Sequence, residues 1–521
     1  MQVFHGDIVT CDEKGSVFPY LVEDGGRIAF VGNELLPPYR NCPLVAELGS
    51  RALLPAFGDG HIHFSNWALF NATFDVRSAA SIQDIGPILK GYADAEPKAR
   101  VLFGFGHSRH TLQEKRLVTR TELDEMVGDR AVYLVCYDGH SAVGNSKALE
   151  MMPPPIRSLR GFDFESGGLS HEAFFKATEF ISGRLPVTRL LAYIARGLDT
   201  LACHGVGMVH AVEGVGFPRD MDVDLMRFMA KGAPIQVRIY FQTMEVEKAL
   251  KRKLPRIGGC FACALDGCFG AKDAALLSPY TDDPQNRGIL FHSDEQVMDF
   301  AKKANRAGLQ IQMHCIGDAA VVQAVKAIEA ALLDLPRQDH RHTLIHACLI
   351  PEEALEKISR LGIGVTLQPG FLISPLEPLD YLESILGERA GKGSPIKRMI
   401  EMGIPVSGGS DGPVTTPNPI EGIHGACNHQ DPAQSVGIAE ALRMYTYNIA
   451  KTSFDEKERG SLERGKIADM VLLNRNPLQM SPHELLQLRV EKLYLAGTEY
   501  RRGKGLGRIV LDALRNLGRP V

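Results

Sequence analysis

The sequence has no long hydrophobic run. None of its uninterrupted apolar stretches approaches the roughly 20 residues that a membrane-spanning helix needs. The N-terminus also lacks the charged start and apolar centre of a secretory signal. The 10 cysteines are spread thinly over 521 residues, which is typical of a reducing compartment rather than of a disulfide scaffold. Together these absences predict a cytoplasmic protein that has no membrane partner.

An excess of charge of one sign is also missing. Lysine and arginine number 58 and aspartate and glutamate 62, which gives a formal net charge of -4. This balance gives no electrostatic reason to expect nucleic acid as a partner. No dinucleotide-binding loop is present, since the nearest candidate, GVGMVH, lacks the third glycine. The sequence therefore predicts a protein that works on a small molecule without a nicotinamide or flavin.

What the middle and C-terminal thirds do contain is one repeated order of a capped helix, a glycine, a short apolar strand and then polar residues. Ser293 and Gln296 fit a capping box, Gly308 stands where that helix should end, and the next strand leads to His314. Alternating helices and short buried strands predict a parallel sheet. Because a barrel builds its active site at the carboxyl ends of its strands, we expect an α/β protein with a (β/α)8 TIM-like barrel.

The two ends of the chain have a different pattern, which predicts short strands broken by aspartate, glycine and proline. We expect residues 1–55 and 455–521 to pair into one small composite β-sandwich domain. The barrel would then span residues 56–454, with an insertion in the early barrel at about 64–200.

His61 and His63 follow a predicted strand, RALLPAF, and lie one residue apart. On a strand, residues i and i+2 face the same side, so both imidazoles could bind one ion. In a chain with 17 histidines about 0.5 such pairs arise by chance, and a second pair, His340 and His342, does occur. The pair alone therefore leaves open whether these are ligands or satisfied polar residues at a strand end.

Three further polar residues strengthen the ligand interpretation. His314, His346 and Asp411 each stand at the end of a later predicted strand, in QIQMHCIGD, TLIHACL and PVSGGSDGP. Four imidazoles and one carboxylate on one face of a barrel form a nitrogen and oxygen donor set suited to zinc or a similar divalent ion. The five residues together predict a metal site.

The chain resembles the amidohydrolase superfamily of metal-dependent hydrolases. LLPAFGDGHIH is similar to its strand-one signature, and GSLERGKIADMVLLNRNPL is similar to the stretch that closes its composite β domain. Within the superfamily the chain resembles the long branch that includes N-substituted formamide deformylases. The motifs that carry this resemblance, in the family's order, are DGHSAVGNSKAL, LDGCFGAKDAALLSPY, MHCIGDAA, LQPGF and GGSDGPV…NPIEGI.

The resemblance implies a set of site residues. The implied metal ligands are His61, His63, His314, His346 and Asp411. Asp411 would also be the catalytic acid and base, His346 would bind a second ion or stabilise the oxyanion, and His140 would face the substrate. The implied reaction is hydrolysis of an amide, formamide or cyclic amide by metal-activated water, with one or two divalent ions, zinc being expected. A homodimer is compatible with the resemblance.

Two departures from the family pattern bear on the number of ions. Where many relatives carry a lysine that bridges two metals when carboxylated, this chain has Ala262, and the glutamate that often precedes the strand-six histidine is Ile345. Three nearby cysteines, Cys260, Cys263 and Cys268, are most simply small buried residues. The alternative is that one of their thiolates replaces the lysine as a ligand.

Two other functions stay open at this point. A deaminase of an aminated ring would use the same site with a single ion, which the absence of the lysine favours. A barrel that binds a ligand without catalysis would usually have lost one of the five site residues, all of which are present here.

Overall fold

The computed structural model describes residues 1–42, 44–503 and 505–519, and leaves out the side chains of Leu44, Val45 and Ala262. The strands are β1 Gln2–Val9, β2 Val17–Asp24, β3 Arg27–Gly32, β4 Leu44–Pro55, β5 Phe57–Ile62, β6 Phe74–Asp75, β7 Val101–His107, β8 Ala131–Cys136, β9 Ala142–Gly144, β10 Gly168–Leu169, β11 Val206–Glu213, β12 Gln236–Phe241, β13 Arg256–Gly259, β14 Gln310–Cys315, β15 Thr343–His346, β16 Gly364–Leu367, β17 Val406–Gly408, β18 Met470–Leu473, β19 Val490–Leu495 and β20 Thr498–Glu499.

The helices are α1 Phe64–Phe70, α2 Ile82–Ala95, α3 Arg120–Val127, α4 Ser146–Glu150, α5 Pro154–Arg157, α6 His171–Ser182, α7 Val187–Cys203, α8 Met221–Ala230, α9 Val246–Lys251, α10 Asp294–Arg306, α11 Asp318–Asp334, α12 Glu352–Leu361, α13 Leu379–Leu386, α14 Ile396–Glu401, α15 Pro419–Cys427, α16 Ile438–Met444, α17 Tyr447–Thr452 and α18 Gly505–Arg515. Within the described residues, no helix combines the length and apolar character needed to cross a membrane.

Eight parallel strands form the barrel in the order β5, β11, β12, β13, β14, β15, β16, β17. The end of β5 meets the residues that follow β17, where Ile62 and Gly412 form a parallel bridge and the amide of Asp411 donates to the carbonyl of His61 at 2.8 Å. Helices alternate with strands from β11 onward. The predicted (β/α)8 barrel is confirmed.

The repeated order predicted from the sequence holds in detail at α10. The Ser293 hydroxyl accepts from the amide of Gln296 at 3.3 Å, and Gln296 Oε1 accepts from the amide of Ser293 at 2.8 Å. Gly308 has φ of 75°, a left-handed conformation that glycine adopts without strain. β14 then carries His314 to the carboxyl end of the barrel.

The terminal segments combine in one seven-stranded sheet of order β20, β19, β18, β4, β1, β2, β3. Leu53 of β4 pairs with Leu472 of β18. Both side chains belong to a hydrophobic core formed by residues of this sheet. Ala52 and Leu54 point the opposite way, into the main barrel core, because successive residues on a strand face opposite sides. The division of the chain near residues 55 and 455 stays a prediction.

The first barrel strand does not lie where the sequence placed it. Most of the predicted strand RALLPAF belongs to β4, which ends at Pro55 within the terminal sheet, and the barrel begins with β5. Gly60 on β5 is required for close packing, since a Cβ there would lie 2.7 Å from the carbonyl oxygen of Gly408. Between β5 and β11 the chain forms a separate five-stranded sheet from β6 to β10.

Candidate metal centre

The structure places all five predicted ligands at the carboxyl ends of barrel strands. His61 is in β5 and His63 follows it, His314 is in β14, His346 ends β15, and Asp411 follows β17. Their exposed fractions are 0% for His61, 4% for His63, 3% for His314, 2% for His346 and 6% for Asp411. Such burial of histidines and a carboxylate requires partners, because unpaired polar groups are costly away from water.

His61, His63 and Asp411 form the first part of the centre. The Nε2 atoms of both histidines lie 3.2 Å from Oδ1 of Asp411. Despite these short distances, this oxygen has no partner in hydrogen-bonding geometry among the described residues, and neither has Nδ1 of His61. A four-coordinate zinc ion separates its nitrogen and oxygen ligands by roughly 3.3 Å. The spacing therefore fits ligand atoms directed at a common point better than it fits hydrogen bonds.

The backbone at this end of the barrel is strained where it presents ligands. Asp411 has φ of 54° and His346 has φ of 68°, a left-handed conformation that is uncommon outside glycine. Each such residue costs about 1–3 kcal/mol and persists only where the surroundings impose it. Strain of this kind is concentrated at functional sites.

Asp59 fixes the first and last strands relative to each other. Its carboxylate accepts from the amide and hydroxyl of Ser410, at 3.0 and 2.6 Å, and from the amide of His61 at 3.2 Å. A Cβ at Gly409 would lie 2.6 Å from the same His61 amide nitrogen. Because Ser410 directly precedes Asp411, these contacts hold that carboxylate opposite His61.

His314 and His346 form the second part of the centre. Nε2 of His314 lies 3.2 Å from the carbonyl oxygen of Gly267, which can only accept, so this nitrogen is protonated and Nδ1 is bare. Nδ1 of His346 lies 2.6 Å from Oε1 of Gln368, which leaves Nε2 of His346 bare. In neutral imidazole the bare nitrogen is the one that binds a metal.

Gln368 contacts the centre and was not among the site residues predicted from the sequence. Its Oε1 lies 2.6 Å from Nδ1 of His346, whereas Ile345, which precedes His346, has no polar side chain. Its Nε2 donates to the carbonyl of Thr366 at 3.5 Å, which orients the amide. The motif LQPGF, which places this glutamine directly after β16, was the available signal.

Cys260 lies at the middle of the centre. Its Sγ is 3.3 Å from Nε2 of His61, 3.3 Å from Nδ1 of His314 and 3.6 Å from Nε2 of His346. The ligand atoms of His61, Cys260, His346 and Asp411 all lie within 4.8 Å of one another. His63 joins this group through Asp411, and His314 joins it through Cys260.

The other two cysteines are placed differently. Cys263 is buried in the short turn after β13, and Cys268 lines the neighbouring cavity. Neither belongs to the group of clustered ligand atoms found among the described residues. Ala262 stands where many relatives carry the bridging lysine, and its side chain lies outside the described residues.

Burial sets the charges of the centre. It lowers the pKa of His61, lowers the pKa of His346 to about 4, and lowers that of His314 well below its usual range. Burial alone would raise the pKa of Asp411, but the facing imidazoles of His61 and His63 outweigh it and hold that pKa well below the usual range. Neutral imidazoles and an ionised carboxylate are the forms that bind a divalent ion.

A cavity of about 130 Å³ adjoins the centre at His314 and Asp411. Most of its lining is apolar and includes Phe269 and Leu349. His140 lines both this cavity and a smaller one of about 50 Å³ that reaches Cys260. The structure therefore places His140 beside the cluster, where a molecule in either cavity would meet it.

A parallel (β/α)8 barrel with histidines and a carboxylate gathered at its carboxyl end has the architecture of metal-dependent hydrolases. The model of the amidohydrolase family matches residues 45–499, so the chain belongs to the amidohydrolase family. It is accordingly an enzyme of the type that acts on carbon–nitrogen bonds.

Whole-length relatives agree with this assignment. The chain is 26% identical to the putative amidohydrolase YtcJ of Bacillus subtilis, over 95% of this chain and 98% of the relative. It is also 26% identical to the N-substituted formamide deformylase of Arthrobacter pascens, over 95% and 97%. A solved structure of an uncharacterized metal-dependent hydrolase from Pyrococcus furiosus, 26% identical, superposes with a TM-score of 0.73 over 92% of this chain and 100% of that chain.

Proposed function

We propose that the protein hydrolyses a non-peptide carbon–nitrogen bond in a small amide, formamide or cyclic amide, using zinc-activated water. The observation that carries the proposal is the approach of Nε2 of His61 and His63 to one oxygen of Asp411 without hydrogen-bonding geometry. The formamide deformylase that matches over nearly its whole length supports the choice of bond.

The residues divide into two groups of ligands. His61, His63 and Asp411 would hold one ion, and His314 and His346 would contribute their bare nitrogens to a second or shared position. An ion in such a donor set supplies the Lewis acidity that makes water a nucleophile near neutral pH. Burial keeps the imidazoles of His61, His314 and His346 neutral, and Gly267 and Gln368 orient those of His314 and His346.

Asp411 is the residue that we assign to proton transfer. Its Oδ1 faces the histidines, which leaves Oδ2 to accept the proton of the attacking water and return it to the leaving nitrogen. His346 is better suited to bind an ion than to donate to an oxyanion, because its one proton is committed to Gln368 and its pKa of about 4 keeps it neutral. His140 would contact the substrate from the cavity wall.

The cavity favours a substrate with an apolar substituent. Phe269, Leu349 and Phe371 line the space next to His314 and Asp411, so an aryl or alkyl group on the scissile amide would be buried there. A small polar substrate would leave this surface uncovered.

The decisive experiment joins metal analysis of the purified protein to a panel of formamides, N-acyl amines, cyclic imides and aminated rings. We expect at least one divalent ion for each chain and release of an amine together with an acid. Ammonia release from an aminated ring would instead establish the deaminase alternative. A protein without stoichiometric divalent metal would overturn the proposal.

A further inference from the structure

We propose that Cys260 is a metal ligand whose thiolate links the group of His61, His63 and Asp411 to the pair of His314 and His346. The inference rests on the proposed function, because it requires an ion at this site. It assigns to the end of β13 a sulfur donor that the five expected ligands do not include.

The distances around the sulfur match coordination. A tetrahedral ion with Zn–S of about 2.3 Å and Zn–N of about 2.0 Å separates sulfur from nitrogen by roughly 3.5 Å. The three distances from Cys260 Sγ to ring nitrogens are 3.3, 3.3 and 3.6 Å. His61 belongs to the first group of ligands, and His314 and His346 form the second. The sulfur therefore touches both groups at once, as a bridging ligand does.

Hydrogen bonding alone does not account for these contacts. Nδ1 of His314 and Nε2 of His346 are both bare, because the other nitrogen of each ring is committed to an oxygen acceptor. One thiol carries one proton and can donate to only one of them. The other lone pair would stay buried without a partner, whereas a cation attracts both nitrogens and the sulfur together.

Burial does not preclude a thiolate here. It raises the pKa of Cys260 well above its usual value, so the free side chain is a neutral thiol. A coordinated divalent ion removes the proton of a thiol outright. When the ion binds, the S–H bond would break, a metal–sulfur bond would form, and the proton would leave to solvent.

The thiolate would take over the charge of the missing lysine. A carboxylated lysine contributes one negative charge between two ions, and a cysteine thiolate contributes the same charge. Ala262 stands at the position of the lysine by spacing, yet Cys260, two residues earlier, reaches the centre because β13 ends at Gly259. A thiolate, unlike a carbamate, needs no carbon dioxide, so reloading of the metal-free enzyme should be unaffected by bicarbonate.

X-ray absorption at the zinc edge of the intact holoenzyme tests the inference directly. We expect a sulfur scatterer at about 2.3 Å in the wild type and in the matched control Cys263→Ser, and its loss in Cys260→Ser. Cobalt substitution gives a second readout, a thiolate-to-cobalt absorption band that only the Cys260 variant lacks. Competition with a chelator should show metal affinity lowered at least about 100-fold in Cys260→Ser, since even the loss of a residue that orients a ligand costs 10–100-fold.

The possible failures are distinguishable. Bound metal with only nitrogen and oxygen neighbours in the wild type would overturn the role of Cys260 and leave the proposed hydrolase intact. A wild type that binds no metal would overturn both. If Cys260→Ser does not fold, the wild-type spectrum decides alone, because it records the sulfur without any substitution.

Discussion

The two HxH pairs of this chain lie at opposite ends of the barrel and differ in how fully their ring nitrogens are hydrogen-bonded. His340 and His342 precede β15, and all four of their ring nitrogens have partners. These contacts run from His340 Nε2 to the Leu361 carbonyl at 2.9 Å, from the His342 amide to His340 Nδ1 at 2.9 Å, from the Ile311 amide to His342 Nδ1 at 3.1 Å, and from His342 Nε2 to Asn305 Oδ1 at 3.1 Å.

His61 and His63 present the reverse arrangement. Their Nε2 atoms face a carboxylate oxygen without hydrogen-bonding geometry, and within the described part of the chain Nδ1 of His61 has no partner. Two pairs with the same spacing and similar burial thus differ in their surroundings: protein groups satisfy one pair, and the other is the pair that we propose to bind a metal ion. An HxH pattern acquires its meaning from the end of the strand at which it lies, since only the carboxyl end of a barrel collects polar residues from several strands.

The largest expected effect comes from a substitution of Asp411, the carboxylate that faces His61 and His63. We expect Asp411→Asn to lower kcat by about 10³-fold, because the amide can neither accept the proton of water nor return it. Steady-state turnover of the substrate found in the panel measures this. Asp129→Asn is the matched control, since the Asp129 side chain is 99% exposed. Undiminished turnover in the Asp411 variant would remove this residue from the mechanism.

The same substitution in both pairs tests the comparison itself. We expect His61→Leu to lower metal affinity at least about 100-fold, because a ligand is lost. His342→Leu should keep its metal and lose about 1–3 kcal/mol of unfolding free energy, since the buried Ile311 amide loses its acceptor, while Asn305 Oδ1 loses His342 as a donor and keeps Arg337. Metal titration and urea unfolding separate the two outcomes. Equal loss of metal in both variants would contradict the distinction.

A smaller effect is expected where protein groups support a ligand. Gln368→Leu removes the acceptor for Nδ1 of His346, and such supporting contacts are worth 10–100-fold in metal affinity. Gln368→Glu keeps an oxygen acceptor at this position and should restore most of the affinity. If both variants bind metal like the wild type, Gln368 has no role in orienting His346.

The part of the centre that could be predicted from sequence is the part encoded locally. The capping box at Ser293, the glycine at 308 and the apolar strand that follows lie within one short segment, so they place His314 without knowledge of the rest of the fold. The same holds for Asp411, which follows a helix, a glycine and the strand β17.

The part that could not be predicted depends on where strands end and what lies across the barrel. The family's bridging lysine pointed to position 262, but the end of β13 at Gly259 brings Cys260 to the centre instead. Gln368 contacts His346 from the end of the neighbouring strand β16, and although the motif LQPGF marks the residue, the sequence does not show which side chain across the barrel it meets. The strand assigned to residues 51–57 was misplaced because β4 pairs with β18, more than 400 residues away in sequence.

The smallest expected effect is a pH dependence of stability at the pair of His340 and His342. Burial lowers the pKa of His342 well below its usual value of 6.5, so the unfolded chain takes up a proton below pH 6.5 that the folded chain does not. The stabilisation that comes from keeping this histidine neutral is therefore fully present above about pH 6.5 and is lost as the pH falls. One histidine contributes a slope of at most about 1.4 kcal/mol per pH unit.

Urea unfolding of the metal-free protein at pH 7.5 and 5.5 should show this fall in stability, and His342→Leu should reduce it by about 1 kcal/mol. If the difference between the two pH values is unchanged in that variant, His342 is protonated in the fold. This outcome would contradict the hydrogen bonds that His342 makes to the Ile311 amide and to Asn305.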